Sequence, residues 1–123
     1  MRMSLVASLL ASAAAAGCAK FSTDLPPDTT APHVELTAPQ DGSTVGGGVA
    51  IDVSASDNYS VEVVRILIDG TLRATFYTLP YHLLWSTIAI PNNSVHTIVA
   101  EAVDPSSNLG RAQVSVTVIN GQQ

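Results

Sequence analysis

Two short turns rich in Asp and Asn hold the side chains that come closest to a ligand site in this sequence. They contribute Asp57 and Asn58 at the first turn and Asp104 and Asn108 at the second. Carboxylate and amide oxygens are the ligands that Ca²⁺ prefers, so the four side chains would form a calcium site if folding brought the turns together. The alternative is that each side chain hydrogen-bonds within its own turn, as Asp and Asn often do. We favour the alternative and expect no cofactor, with calcium as the one ion to test.

The sequence pattern contains no recognisable catalytic arrangement. The histidines His33, His82 and His96 lack the i, i+4 spacing that places two zinc ligands on one helix face. No serine lies in a Gly-x-Ser-x-Gly elbow, and no paired carboxylates are indicated in a cleft. We therefore expect that this protein is not an enzyme.

The single cysteine, Cys18, ends an apolar N-terminal segment. Arg2 precedes an apolar run over residues 5–16, which is shorter than the roughly 20 residues of a membrane-spanning helix and predicts a signal peptide over residues 1–17. The run ends in Ala15-Ala16-Gly17-Cys18, which resembles the lipobox of bacterial lipoproteins. In that family the cysteine is diacylated and the chain is cleaved before it. An ordinary secretory signal cleaved near residues 13–15 is the alternative, and it would leave Cys18 as a free thiol.

The lipobox resemblance implies a lipid anchor at Cys18. Each buried methylene contributes about 0.8 kcal/mol, so several acyl chains on one residue would hold the protein on a membrane. The expected location is exported, lipid-anchored to the cell membrane or outer membrane, and periplasmic or surface-exposed. Ala19 after the cysteine favours the outer membrane in this family. Residues 18–31, rich in Ser, Thr, Asp and Pro, are predicted to form a flexible tether.

Composition limits the chain to one domain and excludes nucleic acid as a partner. At 123 residues there is room for a single domain of roughly 100 residues after the N-terminal segment. Ten acidic residues against five basic ones give a net charge of −5. There is no Lys/Arg cluster to neutralise a phosphate backbone, and no aromatic residues alternate with basic ones.

From Pro32 onward, apolar and polar side chains alternate with the period of a half-buried strand. The pattern predicts an all-β domain over residues 32–119, an immunoglobulin-like sandwich of about seven antiparallel strands, and a short tail over residues 120–123. The predicted strands cover residues 33–37, 49–56, 61–69, 71–77, 81–86, 96–104 and 111–119. Asp69-Gly70 predicts a tight hairpin between the third and fourth strands. Glycines near residues 42 and 46–48 predict a bend where the first strand crosses between sheets.

Parity along each strand predicts which side chains face inward. The inward set is Val34, Leu36, Val49, Ile51, Val53, Ala55, Val64, Ile66, Ile68, Ile98, Ala100, Ala102, Val114, Val116 and Val118. Tyr81, Leu83 and Trp85 share one face; we expect them to pack inward, and stacking on a sugar is the alternative. Parity leaves Leu67, Phe76, Leu84 and Ile88 outward, and these four form our candidate interaction surface.

Several short motifs in order resemble the bacterial Ig-like domains that occur as repeats in secreted glycosidases and adhesins. They are Pro32-His33-Val34-Glu35-Leu36, Ala55-Ser56-Asp57-Asn58, Ile68-Asp69-Gly70, Pro80-Tyr81 with Trp85, and His96-Thr97-Ile98-Val99-Ala100-Glu101-Ala102-Val103-Asp104 with Asn108. The resemblance implies a non-catalytic sandwich. We therefore expect a membrane-anchored extracytoplasmic lipoprotein whose domain binds a protein or glycan. The alternative is a structural spacer or envelope component with no specific ligand.

Overall fold

The computed structural model describes residues 26–121, and all regular structure in that part of the chain is β-strand. The eight strands are β1 His33–Ala38, β2 Thr44–Val45, β3 Gly48–Ser56, β4 Val63–Ile68, β5 Thr71–Phe76, β6 His82–Ser86, β7 Ser94–Val103 and β8 Leu109–Val118. The predicted all-β class is confirmed. Cys18, the predicted signal peptide and the first part of the predicted tether lie outside the described residues. Within residues 26–121 there is no helix long and apolar enough to cross a membrane.

The strands form two sheets that pack face to face. One sheet has the order β1-β3-β6 and the other the order β2-β8-β7-β4-β5. All neighbours are antiparallel except β2 and β8, which pair in parallel through only two residues. The seven predicted strands are present, and β2 is the one that the sequence did not indicate. Its presence confirms the predicted crossing, because the chain leaves the three-stranded sheet after β1 and joins the five-stranded sheet at β2.

Alternation along the strands builds the core as predicted. All members of the predicted inward set are buried except Leu36 and Ala55, which are half-buried and pack against the same core. Trp85 is only 2 % exposed, and Tyr81 and Leu83 also pack against the core, so the inward orientation of this face is confirmed. Burying a Val, Ile or Leu side chain contributes roughly 1.5–3 kcal/mol, and this core is the main source of stability available to the described domain.

The hairpin between β4 and β5 follows the sequence prediction but contains an irregularity. Asp69 and Gly70 have φ angles of 52° and 82°, the left-handed conformation that a tight two-residue turn requires. Beyond the turn the register shifts: Leu67 pairs with Leu72, whereas Ile66 pairs with Ala74. Arg73 is therefore an extra residue in β5. A single extra residue reverses the parity of every side chain that follows it.

Both ends of the described chain extend the domain beyond the predicted limits of residues 32 and 119. At the N-terminal end, the Asp28 carbonyl accepts a hydrogen bond from Asn108 Nδ2 at 2.9 Å, so the last part of the predicted tether lies against the sandwich. At the C-terminal end, Asn120 Oδ1 accepts a hydrogen bond from the Gly47 N–H at 2.7 Å. Asn120 therefore belongs to the domain instead of to a separate tail.

Candidate functional site

Three carboxylates converge at one end of the sandwich. Asp28 precedes β1, Asp57 follows β3 and Asp104 follows β7, and one oxygen from each lies within 4.8 Å of those of the other two. We call Asp28, Asp57 and Asp104 the acidic cluster. The structure thus brings together all four side chains that the sequence selected, because Asn58 donates to Asp28 and Asn108 to Asp104, and it adds Asp28, which lies in the predicted tether. An acidic residue in a segment rich in Ser, Thr and Pro is normally interpreted as part of a solvated linker. The sequence pattern therefore gave no sign that Asp28 belongs to a cluster.

Asp104 is the buried centre of the acidic cluster. Its side chain is fully buried, and Oδ1 accepts hydrogen bonds from the N–H groups of Ser106 and Asn108, each at 2.9 Å. Asn108 Nδ2 donates to Oδ2 at 2.8 Å. Burial raises the pKa of the Asp104 carboxyl, but the hydrogen bonds from the side chain and backbone of Asn108 outweigh it, and the pKa lies below its ordinary value. Asp104 is therefore charged at neutral pH.

The two asparagines do not act as the calcium hypothesis required, in which their side-chain oxygens were ligands. Asn108 Nδ2 faces two oxygens, the Asp104 carboxylate and the Asp28 carbonyl, which fixes its amide as a donor toward the cluster. Asn58 Nδ2 donates to Asp28 Oδ1 at 3.3 Å. Both side chains therefore fasten Asp28 to the two loops and do not present their oxygens to the space between the carboxylates.

Two carboxylate oxygens of the acidic cluster are buried without a partner. Asp28 Oδ2 and Asp57 Oδ1 each expose less than 1 Å² and make no hydrogen bond. The other oxygen of each residue is used in its own turn, because Thr30 N–H donates to Asp28 Oδ1 at 3.1 Å and Tyr59 N–H to Asp57 Oδ2 at 3.0 Å. None of the four ion pairs among residues 26–121 includes a member of the cluster. Buried charges without a counter-charge or donor are unfavourable in a protein interior.

An open cleft of about 360 Å³ adjoins the acidic cluster. It is lined by Pro26, Pro27, Asp28, Tyr59, Pro105 and Ser106. Most of these side chains are apolar, and Tyr59 is 55 % exposed. The cleft gives solvent a route to the edge of the cluster.

The predicted interaction surface is divided by the fold. Leu84 and Ile88 are 66 % and 69 % exposed, at edge strand β6 and in the loop after it. Leu67 is half-buried on the outer face of the five-stranded sheet, on the opposite side of the sandwich from Leu84. Phe76 was expected to face outward, and this prediction is wrong: it pairs with buried Val64 and packs against the core.

The reason for the different position of Phe76 is the extra residue Arg73. With a regular hairpin, Phe76 would pair with Val63 and face solvent; the bulge moves it into register with Val64. Its ring lies 6.2 Å from that of Tyr81. Leu67, Phe76 and Leu84 therefore do not form one contiguous apolar patch.

A hydrogen-bonded chain of Ser94, His96 and Asp69 lies at the far end of β7, about 30 Å from Val103 at typical strand rise. Ser94 Oγ lies 2.9 Å from His96 Nε2, and His96 Nδ1 lies 2.6 Å from Asp69 Oδ2. Burial raises the pKa of the Asp69 carboxyl, but hydrogen bonds from His96 and the Thr97 N–H and the charge of His96 bring it below its ordinary value. Sequence reasoning missed this chain because Asp69 lies 27 residues from His96.

The atoms of this chain follow the order found in a histidine-activated nucleophile, but its contacts point to a structural role. Ser94 Oγ donates a hydrogen bond to the Pro91 carbonyl at 2.6 Å, so its proton is already engaged. Asp69 Oδ1 also accepts from the Thr97 N–H at 3.0 Å. The chain thus fastens the β4–β5 turn to the beginning of β7.

The protein is an immunoglobulin-like sandwich module, because its strands form two packed sheets with the orders β1-β3-β6 and β2-β8-β7-β4-β5. The family model of the bacterial Ig domain matches residues 32–118, which is more than half of the chain. The protein therefore belongs to the bacterial Ig domain family.

Solved structures show the same fold. A fibronectin(III)-like module of Clostridium thermocellum CbhA superposes with a TM-score of 0.60 and 25% sequence identity, over 72% of this chain and 99% of that one. The endo-beta-1,4-mannanase from Thermotoga petrophila matches with a TM-score of 0.59 and 17% identity, over 76% of this chain but only 21% of the mannanase. A comparison with curated proteins gives no match.

Proposed function

We propose that this protein is an exported lipoprotein that is anchored through an acylated Cys18 and presents its Ig-like domain to a protein or glycan. The observation that carries the proposal is the order of features in the chain: a short apolar run, Ala15-Ala16-Gly17-Cys18, and a Ser/Thr/Asp/Pro segment come directly before the family domain at residues 32–118. An Ig-like sandwich of this kind is typically a non-catalytic module, and fold alone gives no activity.

The anchor is tested by labelling cells that express the full chain with an alkyne analogue of palmitate and separating membranes from soluble fractions. We expect label and membrane association for the wild type and for the control Ser22→Ala. Both should be lost in Cys18→Ser. Label or membrane association that is unchanged in Cys18→Ser would refute the anchor and leave an ordinary secretory signal.

For binding, the surface that supports the proposal is formed by Leu84 and Ile88. Leu84 lies on edge strand β6, and a Cβ placed on Gly48 of the neighbouring strand would lie 3.5 Å from Leu84 Cδ1, so the leucine covers the outer face of the three-stranded sheet. Exposed apolar side chains beside an unpaired strand edge are a typical protein contact.

A spacer function is the second candidate, and the division of the predicted surface favours it. Glycan arrays and envelope fractions are probed with wild type, with Leu84→Ser/Ile88→Ser, and with the control Tyr77→Ser, whose side chain is 71 % exposed beyond the other sheet edge. A ligand held by wild type and control but lost by the double variant supports the binding module. Equal retention by all three would place the binding surface away from Leu84 and Ile88, whereas the absence of any ligand supports the spacer.

A further inference from the structure

We propose that copies of this protein stack face to back, so that the outer face of the three-stranded sheet of one copy packs on the outer face of the five-stranded sheet of the next. The inference rests on the binding role proposed above for the Leu84 surface, and it names a second copy of this chain as the partner. Leu67 and Leu84, which lie on opposite sides of one sandwich, would then meet between two copies.

The charges of the described domain are divided between the two sheets. The basic side chains of residues 26–121 are Arg65, Arg73 and Arg111, and they lie on β4, β5 and β8 of the five-stranded sheet. The strands of the three-stranded sheet have no Lys or Arg and carry Glu35 and Asp52. Both carboxylates lie on its outer face, because the residues next to them along the strands pack into the core. We call the outer faces of the five-stranded and three-stranded sheets the arginine face and the carboxylate face.

Arg65, Glu101 and Arg111 form the centre of the arginine face. They lie opposite one another on β4, β7 and β8. Each guanidinium approaches a different oxygen of Glu101, with Arg65 Nε at 3.5 Å and Arg111 Nε at 3.6 Å. Within residues 26–121 neither arginine forms an ion pair with a second carboxylate. Two cations therefore share one anion, and their terminal nitrogens can donate to the carboxylates of a partner.

Aliphatic side chains border the arginine row on both sides. The row on one side consists of Leu72, Leu67 and Val99, and the row on the other of Val63, Val103 and Leu109. Leu72 and Leu109 are 52 % and 47 % exposed. Neither row contains an aromatic ring on which a sugar could stack. Arginine among exposed aliphatic side chains is typical of a contact with another protein.

The carboxylate face repeats the same spacing with the opposite charge. Leu84 pairs with Ala50, which is two residues from Asp52, so an apolar row lies about 7 Å from a carboxylate. On the arginine face, Leu67 is likewise two residues from Arg65. Because β3 ends and β4 begins at the end of the sandwich that carries the acidic cluster, the charged residue is nearer to that end on both faces.

The lateral order of the strands also matches. β1 packs against β8, so the order β1-β3-β6 runs in the same direction across the sandwich as the order β8-β7-β4. A second copy displaced along the sheet normal without rotation therefore brings Glu35 to the side of Arg111, and Leu84 to the side of Leu67. Opposite charges then meet, as do apolar side chains, whereas two arginine faces packed together would oppose like charges.

A stack built by translation is open-ended and keeps all copies in one orientation. With about 10 Å between packed sheets, one copy would repeat roughly every 20 Å. The end that carries Asp28 then points the same way in every copy, as anchorage of each chain through Cys18 in a common membrane requires.

Thiol cross-linking between two differently tagged full chains, in membranes of cells that express both, tests the stack. One copy carries Leu84→Cys and the other Leu67→Cys, and a short bis-maleimide joins cysteines that face each other. We expect cross-linked heterodimers at about ten times the yield from copies that all carry Leu84→Cys, because identical cysteines would be one repeat of roughly 20 Å apart. The matched control pairs Leu67→Cys with Tyr77→Cys, an exposed position outside both faces, and the wild type gives the background from Cys18.

Exchange of charges separates a docking role from a structural one. Arg111→Glu in the Leu67→Cys copy should lower the yield about tenfold, and so should Glu35→Arg in the Leu84→Cys copy, because each opposes like charges. The two changes together should restore the yield, since the charges are then exchanged across the same contact. The wild-type contact should also weaken between 0.1 M and 1 M salt, where the Debye length falls from about 10 Å to about 3 Å.

The stack is refuted if the Leu84–Leu67 pair gives no more product than the Tyr77 control, if Leu67→Cys links mainly to itself or to a different protein, or if the exchanged charges fail to restore the yield. A foreign ligand that is lost in Leu84→Ser/Ile88→Ser, without Leu84–Leu67 cross-linking, would also refute the stack and leave the proposed binding function intact. Leu84–Leu67 cross-linking with charge rescue, in the absence of any foreign ligand, supports the second copy as the partner.

Discussion

Replacing Asn120 by alanine should loosen the end of the sandwich opposite the acidic cluster. Asn120 lies two residues after the last core strand, and its side chain joins the C-terminal segment to two loops. Oδ1 accepts from Gly47 N–H at 2.7 Å and Thr87 Oγ1 at 3.2 Å, and Nδ2 donates to the Thr87 carbonyl at 2.7 Å. Thr87 is fully buried, so this network closes the core at that end.

The expected loss follows from these three contacts. Each hydrogen bond contributes about 1 kcal/mol, and a donor left without an acceptor costs about 1–3 kcal/mol. Gly47 N–H loses the acceptor that Asn120 supplies, whereas Thr87 Oγ1 keeps its bond to the Gly47 carbonyl at 2.9 Å. Because the site is partly buried and water can replace part of the loss, we expect the free energy of unfolding to fall by about 2–3 kcal/mol. For a domain of this size that corresponds to a Tm lower by about 10–20 °C.

The assay is equilibrium denaturation by urea and thermal unfolding, both followed by the fluorescence of Trp85. Gln113→Ala is the matched control, because Gln113 is an exposed amide on β8 and its loss should change stability by less than about 0.5 kcal/mol. If Asn120→Ala is as stable as Gln113→Ala, then the hydrogen bonds of Asn120 do not hold this end together, and the predicted tail beginning at residue 120 would be the better description.

Three further measurements test other parts of the structure. The pKa of Asp69 is lowered in the folded state, so its carboxylate stabilises the fold above the unfolded pKa of 3.8, and this contribution is lost as pH falls through the folded pKa. The Tm of Asp69→Asn should therefore fall less than that of the wild type below pH 4. Parallel curves of Tm against pH for the two proteins would contradict the assignment. Gly110→Ala places a Cβ on the Pro32 carbonyl and should destabilise the domain by about 1–3 kcal/mol. Gly48→Ala meets only the flexible side chain of Leu84, at 3.5 Å or more, and should be nearly neutral in chemical denaturation. Trp85→Ala should cost about 3–5 kcal/mol in far-ultraviolet circular dichroism melts, and a smaller loss would show that the core refills the space.

The sequence alone was sufficient for seven of the eight strands and, apart from β5 beyond its extra residue, for the side of each of these strands that is buried. Alternation of apolar and polar residues is a local property with a period of two. The inward orientation of residues such as Val64, Ile66 and Ile98 could therefore be predicted without knowledge of the strands they pair with. The Asp69-Gly70 turn was equally local, because only the backbone conformation of those two residues had to be inferred.

Tertiary structure decided the features that depend on distant partners. The bulge at Arg73 reversed the orientation of Phe76, and it exists only as a relation between β4 and β5. Asp28 approaches Asp104 across 76 residues of chain, and Asn120 contacts Gly47 across 73. Neither contact can be predicted from the hydrophobic period of the sequence, because a side chain in one loop can contact any other loop at the same end of the sandwich. The acidic cluster and the closed opposite end were therefore visible only once the two sheets were packed.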